Sequence, residues 1–359
     1  RPVLPDLFPG ERDAAPHYET TTACSPYLFL HAREVRLGLP TGRVHSTPQR
    51  FDRVFGPGVA SGEVFAGTVG LLVDGAARRG ERGMAIAFGQ TGSGKTHTVR
   101  SWMQSTIARL FGESLAVAQV NIQYFEIRGA KVLDLLAERA PCELRVDARG
   151  DVHVQGARSV ACRSADEAWS SIEQGVALRA TKATKSNKQS SRSHAVCVFN
   201  IGGQHGGGRV QLIDLAGSER SSDATTHTSE LITELQEING SLGALKAAIR
   251  AMYLRDVCQK TSTHVNYRAS KLTLLLKEMF EPKKKTQSTG STGSGGGGEE
   301  EVIGEHKEAK QEYARTTPPR SSSCMFLACF APLETQVEHT QATAKYCRQL
   351  LAVASTRDG

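Results

Sequence analysis

A glycine-rich segment, GQTGSGKT (89–96), is the sequence feature that most restricts how this chain can fold. It matches the pattern G-x-x-x-x-G-K-[ST], follows the apolar run MAIAF (84–88) and precedes a helix expected to start near Lys95. Such a segment binds phosphate when it joins a buried strand to a helix, because backbone N–H groups and the helix N-terminus then face the anion. The flanking strand and helix argue against a glycine-rich turn that matches by chance. The segment therefore predicts an α/β domain that binds a nucleotide.

Two side chains of this segment and one from a second segment have expected roles in the chemistry. Lys95 is expected to reach the β- and γ-phosphates, and Thr96 to ligate Mg²⁺. In LIDLAGSER (212–220) a buried strand ends in Asp214, where P-loop NTPases hold an acidic residue near Mg²⁺. Gly217 is flexible enough to bring its N–H to a γ-phosphate and to move away after hydrolysis.

A polar run, NKQSSRSH (187–194), comes directly before the apolar strand AVCVFNI (195–201). Ser190, Ser191 and Ser193 are candidates to supply a Mg²⁺ ligand and to hold the attacking water. A surface loop needs no such set of hydroxyls beside a cation, so the run indicates a site for phosphate and metal.

Arg192 is expected to pair with Glu219 across the nucleotide. A salt bridge that forms only when the γ-phosphate is present would act as a switch. For Ser193 and His194, capping or support of the strand fits as well as a chemical role.

Strands and helices alternate through most of the chain. This order predicts an α/β three-layer sandwich of the P-loop NTPase type, with a central mixed or mostly parallel sheet and helices on both faces. Ser164 and Glu167 form a predicted capping box, and Ser270 is a predicted helix cap. The predicted strands are 26–37, 84–88, 117–127, 195–201, 209–215 and 324–332. The predicted helices are 63–80, 95–111, 164–180, 233–254, 270–280 and 337–354.

Composition narrows the class of protein further. Apolar residues make up 39% of the 359 residues, enough for a core, and no apolar run approaches the ~20 residues that span a bilayer. The eight cysteines are scattered and form no C-x-x-C pair, which favours buried thiols over a disulfide frame or a zinc site. Residues 281–323 are poor in apolar residues and rich in Gly, Ser, Lys and Glu, so we expect a disordered insertion there.

The positive charge is confined to one segment. Residues 246–285 hold ten Lys or Arg and three Asp or Glu, which accounts for the whole net charge of +7, since the rest of the chain balances at 34 against 34. This placement points to a localised acidic partner. For a charge run taken alone, a solvated face is the simpler interpretation.

Three motifs together resemble the P-loop, switch I and switch II of the kinesin motor domain: GQTGSGKTHT (89–98), NKQSSRSH (187–194) and DLAGSER (214–220). The similarity covers roughly residues 50–280 and 324–352. Arg1-Pro2 resembles the end of that family's first-strand R-x-R-P segment, which implies that most of the first strand is missing from a single domain spanning 1–359. Further matching segments, in the family's order, are FDRVFGPG (51–58), YFEIRGAKVLDLL (124–136), EINGSLGALKAAIRA (237–251), NYRASKLTLLL (266–276) and HTQATAKYCRQLL (339–351).

The resemblance implies ATP and Mg²⁺ as the ligands. Ser191 and Thr96 would face Mg²⁺, with Asp214 reaching it through water. Ser190 would orient the lytic water. The residues expected to bind ATP are Gly89, Gln90, Thr91, Gly92, Ser93, Gly94, Lys95 and Thr96.

The resemblance also implies how the nucleotide state is sensed. Arg192 and Glu219 would form the switch latch, with Glu219 in the proton relay, and Gly217 would sense the γ-phosphate. The helix at 233–254 resembles the relay helix that carries this state to the track.

The acidic partner would then be the microtubule, since the basic segment overlaps the family's microtubule face. The function implied is a microtubule-stimulated ATPase of the cytoplasm and cytoskeleton, with no role for nucleic acid or membrane and an oligomeric state left open. The leading tubulin contacts are Lys246, Arg250, Arg268 and Lys271.

Within the family, three segments resemble the internal-motor kinesins that depolymerise microtubules: ALKAAIRA (244–251), YRASKLT (267–273) and EIRGAKVLDLL (126–136). Two features of that class differ here. The nearest stretch to its K-V-D loop tip is VRLGL (35–39), and its K-E-C on the relay helix is replaced by Lys-Ala-Ala (246–248). Movement along microtubules and depolymerisation therefore both stay open.

Two other functions compete with a motor ATPase. One is a nucleotide-gated or inactive module that binds microtubules without useful turnover; the intact Lys95, Asp214 and Arg192 argue against it. The other is a P-loop NTPase whose basic face binds nucleic acid. That function is disfavoured because few aromatic rings, such as those of Tyr253 and Tyr267, alternate with the basic residues of this segment.

We predict that deleting residues 284–320 leaves the fold intact. The segment has so few apolar side chains that it is not expected to contribute to the hydrophobic core. Cooperative urea unfolding of the shortened chain would be compared with that of the full chain. Loss of a cooperative transition would show that the segment is structural.

Overall fold

The protein is described by a computed structural model over residues 21–24, 27–36, 39–148, 150–180, 192–202, 207–218, 229–281, 322–330 and 337–358. A nine-stranded sheet forms the centre and carries helices on both faces, beside a separate three-stranded sheet. The strands are β1 (Thr21–Cys24), β2 (Tyr27–Arg36), β3 (Leu39–Arg50), β4 (Arg82–Phe88), β5 (Val120–Arg128), β6 (Lys131–Asp134), β7 (Ala140–Val146), β8 (Val152–Gln155), β9 (Val160–Cys162), β10 (His194–Ile201), β11 (Gly208–Asp214) and β12 (Ser322–Ala328). The helices are α1 (Ser61–Ala66), α2 (Val69–Arg79), α3 (Lys95–Phe111), α4 (Ala165–Ala180), α5 (Ser229–Met252), α6 (Lys271–Phe280) and α7 (Val337–Asp358).

The three-layer α/β prediction is confirmed, but the strand directions are more mixed than expected. The central order is β12-β4-β11-β10-β5-β6-β7-β8, with β9 on β5. Parallel pairing is confined to β12, β4 and β11, and the other pairings are antiparallel. The expectation of a mostly parallel sheet is therefore wrong outside these three strands. The short hairpins from β6 to β9 lack the long helical crossovers that parallel strands require.

The central strands are buried on both faces. In β4, Met84 and Ile86 belong to the apolar core on one face, and Ala85 and Ala87 to the core on the other. The first core also takes side chains from α5, α6 and α7, and the second from α2, α3 and α4. Coverage on both sides explains why these strands are almost continuously apolar in sequence.

Most predicted helices are confirmed, but the single helix expected at 63–80 is two. The break falls at Gly67 and Thr68, where the Thr68 hydroxyl donates to the carbonyl oxygen of Val64 and its backbone is not helical. A Cβ at Gly67 would lie 2.3 Å from the guanidinium of Arg53, so glycine admits that side chain at the break. Gly80 ends α2 in the left-handed conformation.

The predicted caps are partly confirmed. Ser270 accepts from Thr273 N–H while the Thr273 hydroxyl accepts from Ser270 N–H, so α6 begins with a reciprocal box. Ser164 accepts from Glu167 N–H at 3.2 Å, whereas the Glu167 carboxylate accepts from Arg163 N–H. The second half of the box predicted for Ser164 and Glu167 is therefore displaced by one residue.

Two further expectations concern parts of the chain beyond the described ranges. Arg1 and Pro2, on which the missing first strand was predicted, are among them. So is most of the predicted insertion at 281–323. Its two ends are described: Glu281 follows α6, and Ser322 begins β12.

A cluster of four charges joins α6 to the beginnings of two central strands. Arg82 of β4 and Arg209 of β11 both contact the Glu278 carboxylate, the second at 2.6 Å. Asp151 adds a contact of 3.0 Å to Arg82. Burial lowers the pKa of Arg209, with Arg82 adding to that effect, while Glu278 opposes it. The Glu278 carboxylate thus stabilises two neighbouring cations at the starts of β4 and β11. The glycine-rich loop lies at the other end of these strands.

We predict that Glu278→Gln lowers the free energy of unfolding by about 3 kcal/mol, because two guanidinium groups lose their shared partner in a site where side chains are 7–18% exposed. Urea unfolding of the purified protein measures the change.

Glu173→Gln is the matched control. Glu173 pairs with Arg100 at 3.4 Å, and both side chains are 50% exposed. Its removal is expected to change stability by less than about 0.5 kcal/mol. Equal effects of the two substitutions would contradict a special role for the buried cluster.

Candidate active site

The candidate site lies where two parallel strands end side by side. β4 ends at Phe88 and β11 at Asp214, and Asp214 is in register with Ala87. The third parallel strand is tied to the same edge, since Cys329 N–H donates to the Phe88 carbonyl at 2.7 Å. Open α/β sheets bind ligands at the carboxyl ends of such strands.

The segment Gly89–Gly94 joins β4 directly to α3, as the motif requires. At Gly89 a Cβ would lie 2.3 Å from the Cys329 carbonyl oxygen, so only glycine fits. Gly94 has φ 92° and precedes the first residue of α3, a left-handed conformation that glycine adopts without strain. Ser218 N–H donates to the Gly89 carbonyl at 3.1 Å, which ties the segment after β11 to the loop.

Lys95 is held inside this loop. Its ammonium donates to the Gln90 carbonyl at 2.6 Å, and the Ser93 hydroxyl donates to the same oxygen at 2.8 Å. Lys95 is 5% exposed. The eight residues predicted to bind nucleotide thus run from the loop Gly89–Gly94 into the first two residues of α3, and the Lys95 ammonium is bonded to the backbone of the loop.

The Asp214 carboxylate connects two of the surrounding elements. Its Oδ2 accepts from the Thr96 hydroxyl at 2.8 Å and from Arg179 Nη1 at 2.7 Å. Asp214 is 2% exposed, and its Oδ1 has no hydrogen-bond partner among the described residues. A buried carboxylate oxygen without a donor, next to a hydroxyl, is a donor set that suits a hard cation.

The oxygens of Thr96 and Asp214 are a donor set that fits Mg²⁺. In the part of the chain that the structure describes, there is no group of three or more His, Cys, Asp or Glu side chains able to hold a metal ion. Mg²⁺ commonly takes one or two protein oxygens and completes its shell with water and phosphate. Thr96 and Asp214 supply two such oxygens.

Arg179 is a site residue that the sequence interpretation missed. It lies near the end of α4, is 5% exposed, and donates through Nη1 to Asp214 and through Nη2 to the Ser193 carbonyl at 2.9 Å. Burial acts to lower its pKa, but Asp214, Tyr124 and Glu126 together outweigh that effect and raise the pKa. In the sequence it is one cation in the last turn of a helix, so no local signal distinguishes it.

Ser193 belongs to the support of the site. Its hydroxyl donates to Glu126 Oε2 at 2.8 Å, and Glu126 is fully buried. Arg139 Nε lies 3.5 Å from the other carboxylate oxygen of Glu126. This arrangement favours the structural alternative for Ser193 over a role as metal ligand.

His194 also has structural contacts. Ala216 N–H donates to its Nδ1 at 3.0 Å, and its Nε2 lies 2.8 Å from the Ser241 hydroxyl of α5. Burial, followed by the charges of Arg179 and Lys95, lowers the pKa of His194 to about 3. The ring is therefore neutral at physiological pH.

The remaining predicted residues are only partly described. Gly217 is buried three residues after the end of β11, and Arg192 is half-buried two residues before β10. Ser190, Ser191 and Glu219 lie outside the described residues. The latch, the water-holding serine and the serine ligand of Mg²⁺ stay predictions.

The four basic residues predicted to contact tubulin do not share one environment. Arg250 and Arg268 are exposed and Lys271 is half-buried. The Lys246 ammonium lies 5.1 Å from the ring centroid of Tyr346 in α7, a cation–π contact. Lys246 therefore packs between two helices of the domain.

A cavity of about 670 Å³ lies beside Arg268, between the loop that precedes α6 and the C-terminal half of that helix. Arg255 and Lys277 line it together with the hydroxyls of Thr261 and Thr263.

Along the described residues, no helix has both the length and the apolar character needed to cross a membrane.

Comparison with known proteins agrees with this geometry. The kinesin motor domain model matches residues 30–288. Diatom spindle kinesin-1 of Cylindrotheca fusiformis is 37% identical over 265 residues, which cover 72% of this chain and 41% of that protein. Kinesin-like protein KIN-13B of Arabidopsis thaliana is 34% identical over 267 residues, which cover 70% of this chain and 38% of that protein.

A solved structure supports the fold. The C-terminal motor and motor homology domain of Kar3Vik1, fused to a synthetic heterodimeric coiled coil, matches 98% of this chain and 83% of that chain with a TM-score of 0.67 and 23% identity. The chain spans about two fifths of the length of the two curated relatives. Since the family model covers more than half of its residues, the chain belongs to the kinesin motor domain family, a family of ATP-hydrolysing microtubule motors.

Proposed function

We propose that this chain is a microtubule-stimulated ATPase that couples hydrolysis of ATP with Mg²⁺ to work on microtubules. The observation that carries the proposal is the Asp214 carboxylate, which contacts Thr96 of the phosphate loop and Arg179 at 2.8 and 2.7 Å. Family membership supports ATP as the nucleotide and the microtubule as the track. We take residues 1–359 as one motor domain, associated with cytoplasmic microtubules.

The loop Gly89–Gly94 is proposed to bind the phosphates of the nucleotide. The turn Gly89–Gly94 presents backbone N–H groups to phosphate at the start of α3, and the helix dipole favours the negative charge. Lys95 exchanges its bond with the Gln90 carbonyl for one with phosphate. The Thr96 and Ser191 hydroxyls, and Asp214 through water, are proposed to hold Mg²⁺, which would offset the negative charge of the phosphates.

Hydrolysis is proposed to depend on the segment before β10 and the segment after β11, which the γ-phosphate of ATP would bring together. Ser190 is proposed to orient the attacking water, and Gly217 to sense the γ-phosphate. Arg192 and Glu219 are proposed to close the latch, with Glu219 accepting the proton relayed from the water. In-line attack gains most from positioning, so the contacts that fix these segments determine the rate.

Arg179 is the residue that fixes both segments at once. Its two terminal nitrogens bind Asp214, three residues before Gly217, and the carbonyl of Ser193, next to Arg192. Because a guanidinium is planar and rigid, it holds these acceptors at a set separation. We assign it a positioning role.

The track face is proposed to centre on Arg250, Arg268 and Lys271, beside the cavity next to Arg268. Their positive charge complements an acidic polymer surface such as that of tubulin. Lys246 contributes to packing against Tyr346.

We predict that polymerised microtubules raise the ATP turnover of the chain well above its basal rate. Turnover with and without microtubules would be measured in tubes that are then sedimented. Stimulation with intact polymer would indicate movement, and release of tubulin into the supernatant would indicate depolymerisation. Co-sedimentation without turnover would contradict the proposal and favour a nucleotide-gated binding module. Lys95→Ala is the control and is expected to abolish turnover.

We predict that Arg179→Met lowers kcat about 10²-fold while the KM for ATP changes little, since the loop itself is untouched. Arg179→Lys keeps the charge but loses the two-pronged geometry, and is expected to lose most of the rate as well. Arg109→Met, which breaks a half-exposed pair with Asp74 on the outer helices, should keep the rate. A rate retained in Arg179→Lys would argue that charge alone suffices.

A further inference from the structure

Three segments of the chain meet at the side chain of His194. This residue begins β10, Ala216 follows β11, and Ser241 lies in α5. The ring is 1% exposed and Ser241 is 4% exposed. Both contacts of the ring, 3.0 Å to Ala216 N and 2.8 Å to Ser241 Oγ, are therefore direct and shielded from solvent.

The direction of hydrogen-bond donation between these groups is set by the backbone N–H of Ala216. A backbone N–H can only donate, so Nδ1 of the neutral ring accepts from Ala216 and the proton lies on Nε2. Nε2 then donates to the Ser241 hydroxyl. That hydroxyl donates to the Ile238 carbonyl at 2.8 Å, one turn back in α5. The result is a single ordered chain of three hydrogen bonds from Ala216 to Ile238.

The two ends of the chain lie in regions with different tasks. Ala216 directly precedes Gly217, the proposed γ-phosphate sensor, and follows Asp214 by two residues. Ile238 and Ser241 belong to the helix that carries Arg250 of the proposed track face. Among the described residues, the hydrogen bonds of this link join Ala216, His194, Ser241 and Ile238, and none of them reaches the loop at Gly89–Gly94.

We propose that His194 and Ser241 form the link through which the nucleotide-sensing segment and helix α5 control each other. The proposal rests on the proposed function, because it assigns the route by which microtubules and nucleotide communicate. His194 and Ser241 are positioning residues in this scheme.

Physical reasons favour this link over the apolar packing of α5. Side chains such as Leu242 and Leu245 contact the sheet without directional preference, so small movements of the helix change those contacts gradually. Hydrogen bonds weaken steeply with distance and angle, and a buried donor left without an acceptor is costly. A shift of Ala216 is thus resisted until Ser241 and α5 move with it, which couples the two segments.

Coupling of this kind must be reciprocal. If nucleotide changes microtubule affinity by some factor, microtubules change nucleotide affinity by the same factor. Removing the link should reduce both factors equally. A side chain that merely stabilises the fold would lower the unfolding transition and leave both factors unchanged.

The test uses Ser241→Ala, which removes the acceptor of Nε2. Microtubule affinity is measured by co-sedimentation with a non-hydrolysable ATP analogue and with ADP, and affinity for the same two nucleotides is measured with and without microtubules. We expect both ratios to fall by about fivefold or more, the lower range of typical coupling. Basal turnover without microtubules is expected to stay near that of the unchanged chain.

His194→Asn provides a second variant. The shorter amide can still accept from Ala216 N–H but does not reach Ser241, so it should reproduce the loss of coupling seen in Ser241→Ala. The double variant should add no further loss if the two residues act in one chain. Ser355→Ala is the matched control, because this exposed serine of α7 also donates to a carbonyl one turn back, Leu351 at 3.0 Å. It should leave both ratios unchanged.

The outcomes separate the two proposals. If the unchanged chain is stimulated by microtubules and a folded Ser241→Ala or His194→Asn keeps both ratios, the link is overturned while the proposed function stands. If the unchanged chain shows neither binding nor stimulation, both are overturned. Equal reduction of the two ratios supports the link.

Discussion

The buried Asp214 carboxylate is the interaction on which the rest of the site depends. It holds Thr96 at the start of α3 and Arg179 at the end of α4, so the nucleotide loop and the segment before β10 share one anchor. Without it, the buried Arg179 guanidinium would lose the carboxylate that it contacts at 2.7 Å, at a large cost. Ser193, which Arg179 holds by its carbonyl, would lose its position as well.

Local sequence patterns predicted the parts of the site that are formed by local structure. The turn at 89–96 was identified because glycine spacing, a preceding apolar strand and a following helix all lie within about twenty residues. Ser270 was identified as a cap for the same reason, since its partner Thr273 is three residues away. In each case the determining contacts connect residues close in sequence.

The missed residues depend on contacts between distant segments. Arg179 and Asp214 are 35 residues apart, and His194 and Ser241 are 47 apart. The spacing of apolar residues in the sequence does not predict such contacts, because they form only when the order of strands in the sheet is set. Lys246 also makes a contact between distant segments, since its ammonium lies 5.1 Å from the centroid of the Tyr346 ring in α7, and its contact with tubulin stays a prediction.

The charge cluster at the other end of the sheet has a consequence for biosynthesis. Arg82 and Arg209 are paired in register on adjacent strands, and Glu278 follows them by 196 and 69 residues. Both strands leave the ribosome before the carboxylate that stabilises them together, and Asp151 offsets only part of the repulsion until then. We expect the two strands to pair firmly only after α6 has been synthesised, so a nascent chain that stops short of it would expose the central sheet to chaperones and proteases.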